Sequence, residues 1–279
     1  MVKPAARREV VGYLEQAYGM SERRACGVAS ICRATHRYEP CRKDPPRLRA
    51  TLVSLARKKA RRGYRFLHEL LRRRGFKVNH KRVYRLYREE GLALPRRRKR
   101  RRYAAAPREA ATRATRVGQC WSMDFVHDHL ATGRRFRVLT IVDTFSRRSP
   151  GILADWSISG ERVARFLDEV ALSCGLPESM SVDNGPEFIS NALDRWAYER
   201  GVRLHFIRPG KPTENAFIES FNSRLREECL NANWFDSLDH ARELIAEWWY
   251  DYNNDRPHSA LGGLTPIEYE EKLRTQIAA

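Results

Sequence analysis

The sequence predicts a mixed α/β domain preceded by a small, strongly basic all-helical region. Three observations carry this expectation. Residues 1–115 hold 34 Lys+Arg against 9 Asp+Glu, a net of +25, whereas residues 116–279 hold 19 against 25, a net of −6. Apolar spacing is helical in the first part and alternates between strand and helix patterns in the second. Between them stand seven successive cations, Arg96-Arg97-Arg98-Lys99-Arg100-Arg101-Arg102, behind Pro95.

Residues 5–18 read as a helix with Val10, Val11, Leu14 and Tyr18 on one face, ended by Gly19. Ser21 is placed to cap, and Ala25 to Cys32 form a second helix. Helix–Gly–helix of this size suits a helix-turn-helix remnant or an ordinary helical hairpin. In residues 47–92, Leu48, Leu52, Leu55 and Ala56 share one helical face. Phe66, Leu67, Leu70 and Leu71 share another after Gly63. Asn79 is placed to cap a third helix, His80 to Glu90, with Val83, Tyr84 and Leu86 inward. Its cations Lys81, Arg82, Arg85 and Arg88 can point outward, as on a recognition helix in a DNA major groove, or form a solvated basic face. The seven-cation run cannot pack against an apolar core. Residues 104–115 continue as an Ala/Arg/Thr linker. The expected division is 1–46 helical, 47–95 helix-turn-helix-like, 96–115 basic linker and 116–279 mixed α/β core with C-terminal helices.

The second half predicts strands at Gln119–His127, Arg134–Asp143 and Arg148–Trp156, the first two a hairpin around Ala131-Thr132-Gly133. Ser159 caps a helix over Glu161–Cys174. A short buried strand at Ser179–Val182, a helix at Ile189–Arg200 and a strand at Arg203–Ile207 follow. Helices at Thr213–Asn231 and Ser237–Asn253 complete the pattern, which by itself supports mixed α/β.

Three carboxylates stand out. Asp124 interrupts the apolar strand Trp121, Met123, Phe125; if those face the core, Asp124 points the other way. Asp128 is a rival at the end of the same strand, and Asp143 either starts a turn or approaches the site. Asp183 ends a buried strand before Asn184-Gly185-Pro186, where ligands gather in α/β sheets or where an Asx turn forms. Glu187 follows as a helix-start acid. Glu219 lies on an amphipathic helix whose apolar side is Phe217, Phe221 and Leu225. Asn215, Glu219, Asn222, Ser223 and Arg226 share the opposite face. Two divalent cations roughly 3.5–4 Å apart require shared anionic oxygens of this kind.

Val182-Asp183-Asn184-Gly185-Pro186-Glu187-Phe188, then Pro212-Thr213-Glu214-Asn215-Ala216-Phe217-Ile218-Glu219-Ser220-Phe221-Asn222, then Asn254-Asp255-Arg256-Pro257-His258-Ser259-Ala260-Leu261 resembles a DDE transposase. The match is to the OrfB protein of the insertion-sequence-three (IS-three) family, whose core is similar to retroviral integrase. It covers nearly the whole chain from about Arg49, with 35 residues between Asp183 and Glu219. The resemblance implies a ribonuclease H-like fold, with Asp124, Asp183 and Glu219 as ligands of two Mg2+ or Mn2+ ions. It also implies that Arg226 contacts terminal DNA phosphate; on its bare position Arg226 is equally a solvated cation. The implied activity is cleavage at element ends and strand transfer by 3′-hydroxyl attack. The rivals are a nuclease that cannot join strands and a non-catalytic DNA-binding regulator. Oxygen-only ligands favour Mg2+ or Mn2+ over zinc. Implied partners are double-stranded DNA, further copies of the chain and an upstream OrfA, as fusion or partner. No Leu heptad recurs. Arg256 and His258 can serve DNA or a salt bridge, and Trp248, Trp249 and Tyr250 can pack a helix or stack on unpaired bases.

The charge split points to a polyanion for the first half. No segment reaches the ~18 apolar residues of a spanning helix. Met1-Val2-Lys3-Pro4 leads into charged residues rather than an apolar run, so a cytoplasmic location is expected. Six Cys (26, 32, 41, 120, 174, 229) contain no C-x-x-C. The loose cluster Cys26, Cys32, His36, Cys41 fits reduced thiols better than a zinc module. Arg outnumbers Lys 44 to 9, which suits phosphate or merely a GC-rich genome.

Overall fold

The computed structural model describes residues 4–38, 44–59, 61–94, 114–185, 187–207 and 215–278. The chain divides into two compact units, Met1–Arg49 and Ala50–Ala279. In the first, α1 (Pro4–Tyr18) is followed by α2 (Glu22–Val28) and α3 (Arg33–His36) around buried Val11, Ala25 and Cys26. Gly19 ends α1 at φ +59°, as expected. The helix expected over Ala25–Cys32 starts earlier and breaks sooner. Ser30 takes a left-handed φ of 50°. Ile31 N–H then bonds Cys26 O at 3.0 Å and Ser30 N–H bonds Gly27 O at 3.2 Å, which closes α2 with a Schellman turn. Ser21 precedes α2 in extended conformation without a side-chain cap bond.

Helix α4 (Pro46–Lys58) spans the division, and α5 (Tyr64–Arg73) and α6 (His80–Glu89) follow. Asn79 caps α6 by accepting from Lys81 N–H at 2.9 Å. The inward side chains of α6 are Val83, Leu86 and Tyr87, at i, i+3 and i+4. Tyr84, expected inward, is 37% exposed and lies against Tyr64, ring centroids 4.7 Å apart.

The core is a five-stranded sheet in the order β3-β2-β1-β4-β5. Strand β1 (Cys120–His129) pairs antiparallel with β2 (Arg135–Asp143), which pairs antiparallel with β3 (Ile152–Asp155). β4 (Ser179–Val182) and β5 (Arg203–Phe206) extend the sheet in parallel from β1. Alternation sorts the side chains. Trp121, Met123, Leu139 and Ile141 pack with α7 (Gly160–Cys174) and α8 (Asn191–Arg200). Val126, Val138 and Val142 pack on the other face with α9 (Ala216–Glu228) and α10 (Leu238–Asn254). Ser159 and Ser237 cap α7 and α10, accepting from Arg162 N–H and His240 N–H. β3 starts later than its sequence pattern because Ser149 N–H bonds the Asn253 side chain at 2.9 Å instead of a strand neighbour.

A last helix, α11 (Pro266–Ala278), was not expected. Its signal was present: Thr265-Pro266-Ile267-Glu268 is a capping box with Pro at the first turn. Thr265 N–H donates to Glu268 Oε2 at 2.8 Å, and Glu268 N–H donates to Thr265 Oγ1 at 3.2 Å.

The α4–α5 segment is fastened to the core by ion pairs of Lys59 with Asp251, Arg62 with Glu228 and Arg73 with Glu268. Glu228 also accepts from Arg256 and from the Trp248 indole, each at 3.2 Å. Burial pulls Arg62 down to about 10. Arg256 and His258 are therefore structural. Arg256 is 5% exposed, and His258 is buried, its ring edge-on to Tyr252 at 4.7 Å. Of the aromatic triplet, Trp248 is buried, Trp249 bonds Ser149 O at 2.9 Å, and Tyr250 is 59% exposed.

Replacing Glu228 with Ala leaves two buried guanidinium groups without a counter-charge, and denaturant titration should read a loss of about 3–5 kcal/mol. Burial holds His258 down to about 3, below its ordinary 6.5. The unfolded chain therefore takes up a proton that the folded chain refuses. The stability of neutral His258 is complete above pH 6.5 and is lost as pH falls from there toward 3, at up to about 1.4 kcal/mol per pH unit. Melting at pH 7.5 and 5.5 should show this dependence reduced in His258→Gln.

Candidate active site

Asp124 lies in the middle of β1, opposite Thr140 of β2. Trp121 and Met123 are buried in the α7/α8 layer and Phe125 is packed against it. Asp124 consequently projects from the opposite face, toward α9, and is half-buried. Its Oδ1 accepts from Phe125 N–H at 2.7 Å and its Oδ2 from the Asn222 amide at 2.8 Å. The Thr140 hydroxyl lies 2.8 Å from Asn222 Oδ1 and 3.0 Å from the Asp124 carbonyl oxygen. A hydroxyl donating to Asn222 Oδ1 fixes the amide so that its NH2 faces Asp124.

The α9 stripe that docks on the sheet is Ile218, Phe221 and Leu225. Phe217, expected in that stripe, is half-buried beneath the Arg147 guanidinium, 3.5 Å from the ring centroid. Asn215, expected on the polar face, is buried at 6% exposure. With the stripe docked, Asn222 meets Asp124, while Glu219 stands exposed in the first turn of α9, where the helix dipole favours its anion.

Asp183 follows β4 and is exposed. Its Oδ1 accepts from Gly185 N–H at 3.0 Å, an Asx turn. Asn184 ties that turn to β5 by donating to Ile207 O at 3.0 Å. Burial, first, and the negative charges of Asp183 and Glu219 raise the Asp124 carboxyl above its ordinary value, against the lowering effect of its two hydrogen bonds. The charges of Asp183 and Glu219 thus both reach Asp124. Among the described residues, however, no group of three His, Cys, Asp or Glu is gathered closely enough to hold a metal ion.

Asp143 is a turn-starter: buried at 1%, it accepts from Gly118, Phe145 and Ser146 N–H groups. Asp128 accepts from His129 N–H at 2.8 Å. Arg226 is exposed and donates to His127 O at 3.1 Å, so it lies along β1 beyond Asp124. On α6, Lys81, Arg85 and Arg88 are exposed and Arg82 is half-buried; Arg85 pairs with Glu89 at 2.7 Å. The cations from Arg96 to Arg102 and Cys41 lie outside the described residues.

Sequence reasoning gave no role to Asn222, although its place three residues after Glu219 was a signal. It had none for Thr140 or for Arg137, which pairs with Glu187. That pairing, first among its causes, holds the Glu187 carboxyl below its ordinary value.

Three antiparallel strands extended by two parallel ones, with acids on the central strand, its parallel neighbour and the docking helix, define a polynucleotidyl transferase of the retroviral integrase type. Two family models described as "Integrase core domain" match residues 114–212 and 200–266, and one described as "HTH-like domain" matches 52–100. The chain is 48% identical over 263 residues to the insertion element IS407 31.7 kDa protein of Burkholderia multivorans, covering 94% of each. It is 44% identical to the insertion element IS476 39.2 kDa protein of Xanthomonas euvesicatoria, over 99% of this chain and 80% of that one. The transposase for insertion sequence element IS904 of Lactococcus lactis is 26% identical over 57% of this chain and 64% of that protein. Among solved structures, a simian T-cell lymphotropic virus intasome chain superposes with a TM-score of 0.53 at 17% identity, over 78% of this chain and 74% of that one. The chain belongs to the OrfB-type transposases of the IS-three family of insertion sequences. No helix among the described residues is long and apolar enough to cross a membrane.

Removing the Asn222 amide takes one hydrogen bond from the Asp124 carboxylate, worth about 1.5–3 kcal/mol where a charge is involved. Asn222→Ala should therefore lose stability of about that size, as read by denaturant titration.

Proposed function

We propose that Asp124, Asp183 and Glu219 are the ligand set of this transposase for two Mg2+ or Mn2+ ions. The observation that carries the reading is where the fold puts the three acids: Asp124 mid-β1, Asp183 directly after the adjacent parallel strand β4, and Glu219 in the first turn of α9, which docks on β1, so that the charges of Asp183 and Glu219 reach Asp124. A divalent cation relieves that repulsion, and the donors are oxygen alone, which suits Mg2+ or Mn2+. Asp124 and Asp183 each accept hydrogen bonds that orient them and keep further lone pairs for a ligand. Held by Asp124, Asp183 and Glu219, two such ions would supply activation of the attacking oxygen and charge stabilisation at the leaving one.

The reaction is phosphoryl transfer in two steps. Water attacks the phosphorus at the element end, and the bond from phosphorus to the 3′-oxygen breaks, freeing a 3′-hydroxyl. That hydroxyl attacks a target phosphodiester, forming one ester bond as another breaks, with no covalent protein intermediate. Asn222 orients Asp124 through both steps. Arg226 binds the terminal phosphate. Lys81, Arg82, Arg85 and Arg88 hold duplex DNA together with the run Arg96–Arg102, and each phosphate neutralised steepens the salt dependence by a slope of about −0.9. Residues 96–115 serve as the linker between that region and the core. Assembly of further copies on paired ends, and fusion or pairing with an upstream OrfA, complete the reading.

The test is a labelled duplex carrying the element's own terminal repeat, incubated with Mg2+ or EDTA, using the chain alone and fused to its upstream reading frame. Metal-dependent cleavage and joining are expected. Glu219→Gln should retain DNA binding in a gel shift and lose both products. A Glu219→Gln protein that still cuts would remove Glu219 from the site.

A further inference from the structure

Glu187 stands beyond Gly185 from Asp183, and a Cβ placed at Gly185 would lie 3.0 Å from Asp183 Oδ1 and 3.3 Å from Glu187 Oε2. Two carboxylates therefore flank the same point of backbone, in the turn that presents Asp183. Glu187 is held from the neighbouring strand: its Oε1 is paired with Arg137 Nη1 of β2. Arg137 is itself fixed by an aromatic stack. Its guanidinium lies 4.3 Å from the centroid of Phe125, which stacks on Phe188 at 5.0 Å and 25°. Phe125 adjoins Asp124 in sequence, and Phe188 adjoins Glu187. The stack thus connects the strand that carries Asp124 with the turn that carries Asp183. Arg137 Nε is buried without an acceptor among the described residues, so Glu187 and the Phe125 ring are what hold this cation in place.

We propose that Arg137 is a positioning residue for the metal site, acting through Glu187 to hold the Asp183 turn and to cancel the charge beside it. The proposal rests on the reading of Asp183 as a ligand. Without Arg137, Glu187 becomes an uncompensated anion next to Asp183, free to turn inward and draw a cation out of register with Asp124. Groups behind a metal ligand typically change metal affinity about 10–100-fold when they are removed.

The experiment is Mn2+ binding to the full chain without DNA, read as free Mn2+ by electron paramagnetic resonance. Arg137→Gln should bind Mn2+ about tenfold more weakly. The exchange Arg137→Glu with Glu187→Arg should restore affinity to within about threefold, and Arg137→Lys should lie between. The wild-type melting temperature in Arg137→Lys and in the exchanged pair identifies folded protein, so these two decide the matter if Arg137→Gln unfolds. Arg137→Gln of wild-type affinity, or an exchanged pair as weak as Arg137→Gln, overturns the proposal. Asp183→Asn separates the two readings. If it binds Mn2+ like the wild type, the ligand assignment fails and takes this proposal with it. If it binds poorly while Arg137→Gln binds normally, the positioning role alone fails.

Discussion

The docking of α9 on the β1–β2 face is the contact on which the rest of the core depends. Ile218, Phe221 and Leu225 are each at most 1% exposed and join Val126, Val138 and Val142 in one apolar layer. Burying three such side chains contributes on the order of 1.5–3 kcal/mol apiece. The same seating determines the chemistry, because helical spacing leaves no freedom once the stripe is down. Asn222 must then face Asp124, Glu219 must stand at the open end of the helix, and Arg226 must run on along β1. A polar helix face becomes a site because its apolar face has one place to go.

Charge is handled differently on the two sides of this helix. Toward Asp124, the charges of Asp183 and Glu219 reach a carboxylate whose own donors are neutral, an amide and a backbone N–H group. At its other end α9 contributes Glu228, whose carboxylate pairs with both Arg62 and Arg256 and acts on Arg224. There Arg62 and Arg256 are buried, and the carboxylate is what makes their burial tolerable. The Arg256-Pro257-His258 segment belongs to this second setting. It braces α10 against the α4–α5 segment, and Tyr252, which carries the His258 ring contact, also packs on Phe221 of α9. The brace and the site are therefore two ends of one helix.

Much of this was legible in the residues. Strand alternation placed Asp124 away from the Trp121 and Met123 face, and the caps at Asn79 and Ser159 marked two helix starts that the structure reproduces. Errors arose where a local pattern had two solutions. Tyr84 and Tyr87 are both placed for an inward face of α6, and packing chose Tyr87. Phe217 and Ile218 are both apolar, and the sheet accepted Ile218. Asp143 could have joined the site, but three backbone N–H groups hold it in a turn. The α11 capping box was readable and passed over.

By itself the sequence determined the order of the elements up to α10, the positions of Asp124, Asp183 and Glu219 along the chain, and a resemblance to a known family. The elements follow from short-range periodicity, and the resemblance from the segments around Asp183, Glu219 and Arg256. Tertiary structure alone decided that Asn222 and Thr140 orient Asp124, that Arg137 crosses from β2 to Glu187, and that Glu228 gathers Arg62 and Arg256. Each of these joins residues 16 to 166 positions apart. No local periodicity encodes such pairs; they exist because the strand register and the seating of α9 bring their polar atoms within hydrogen-bonding reach.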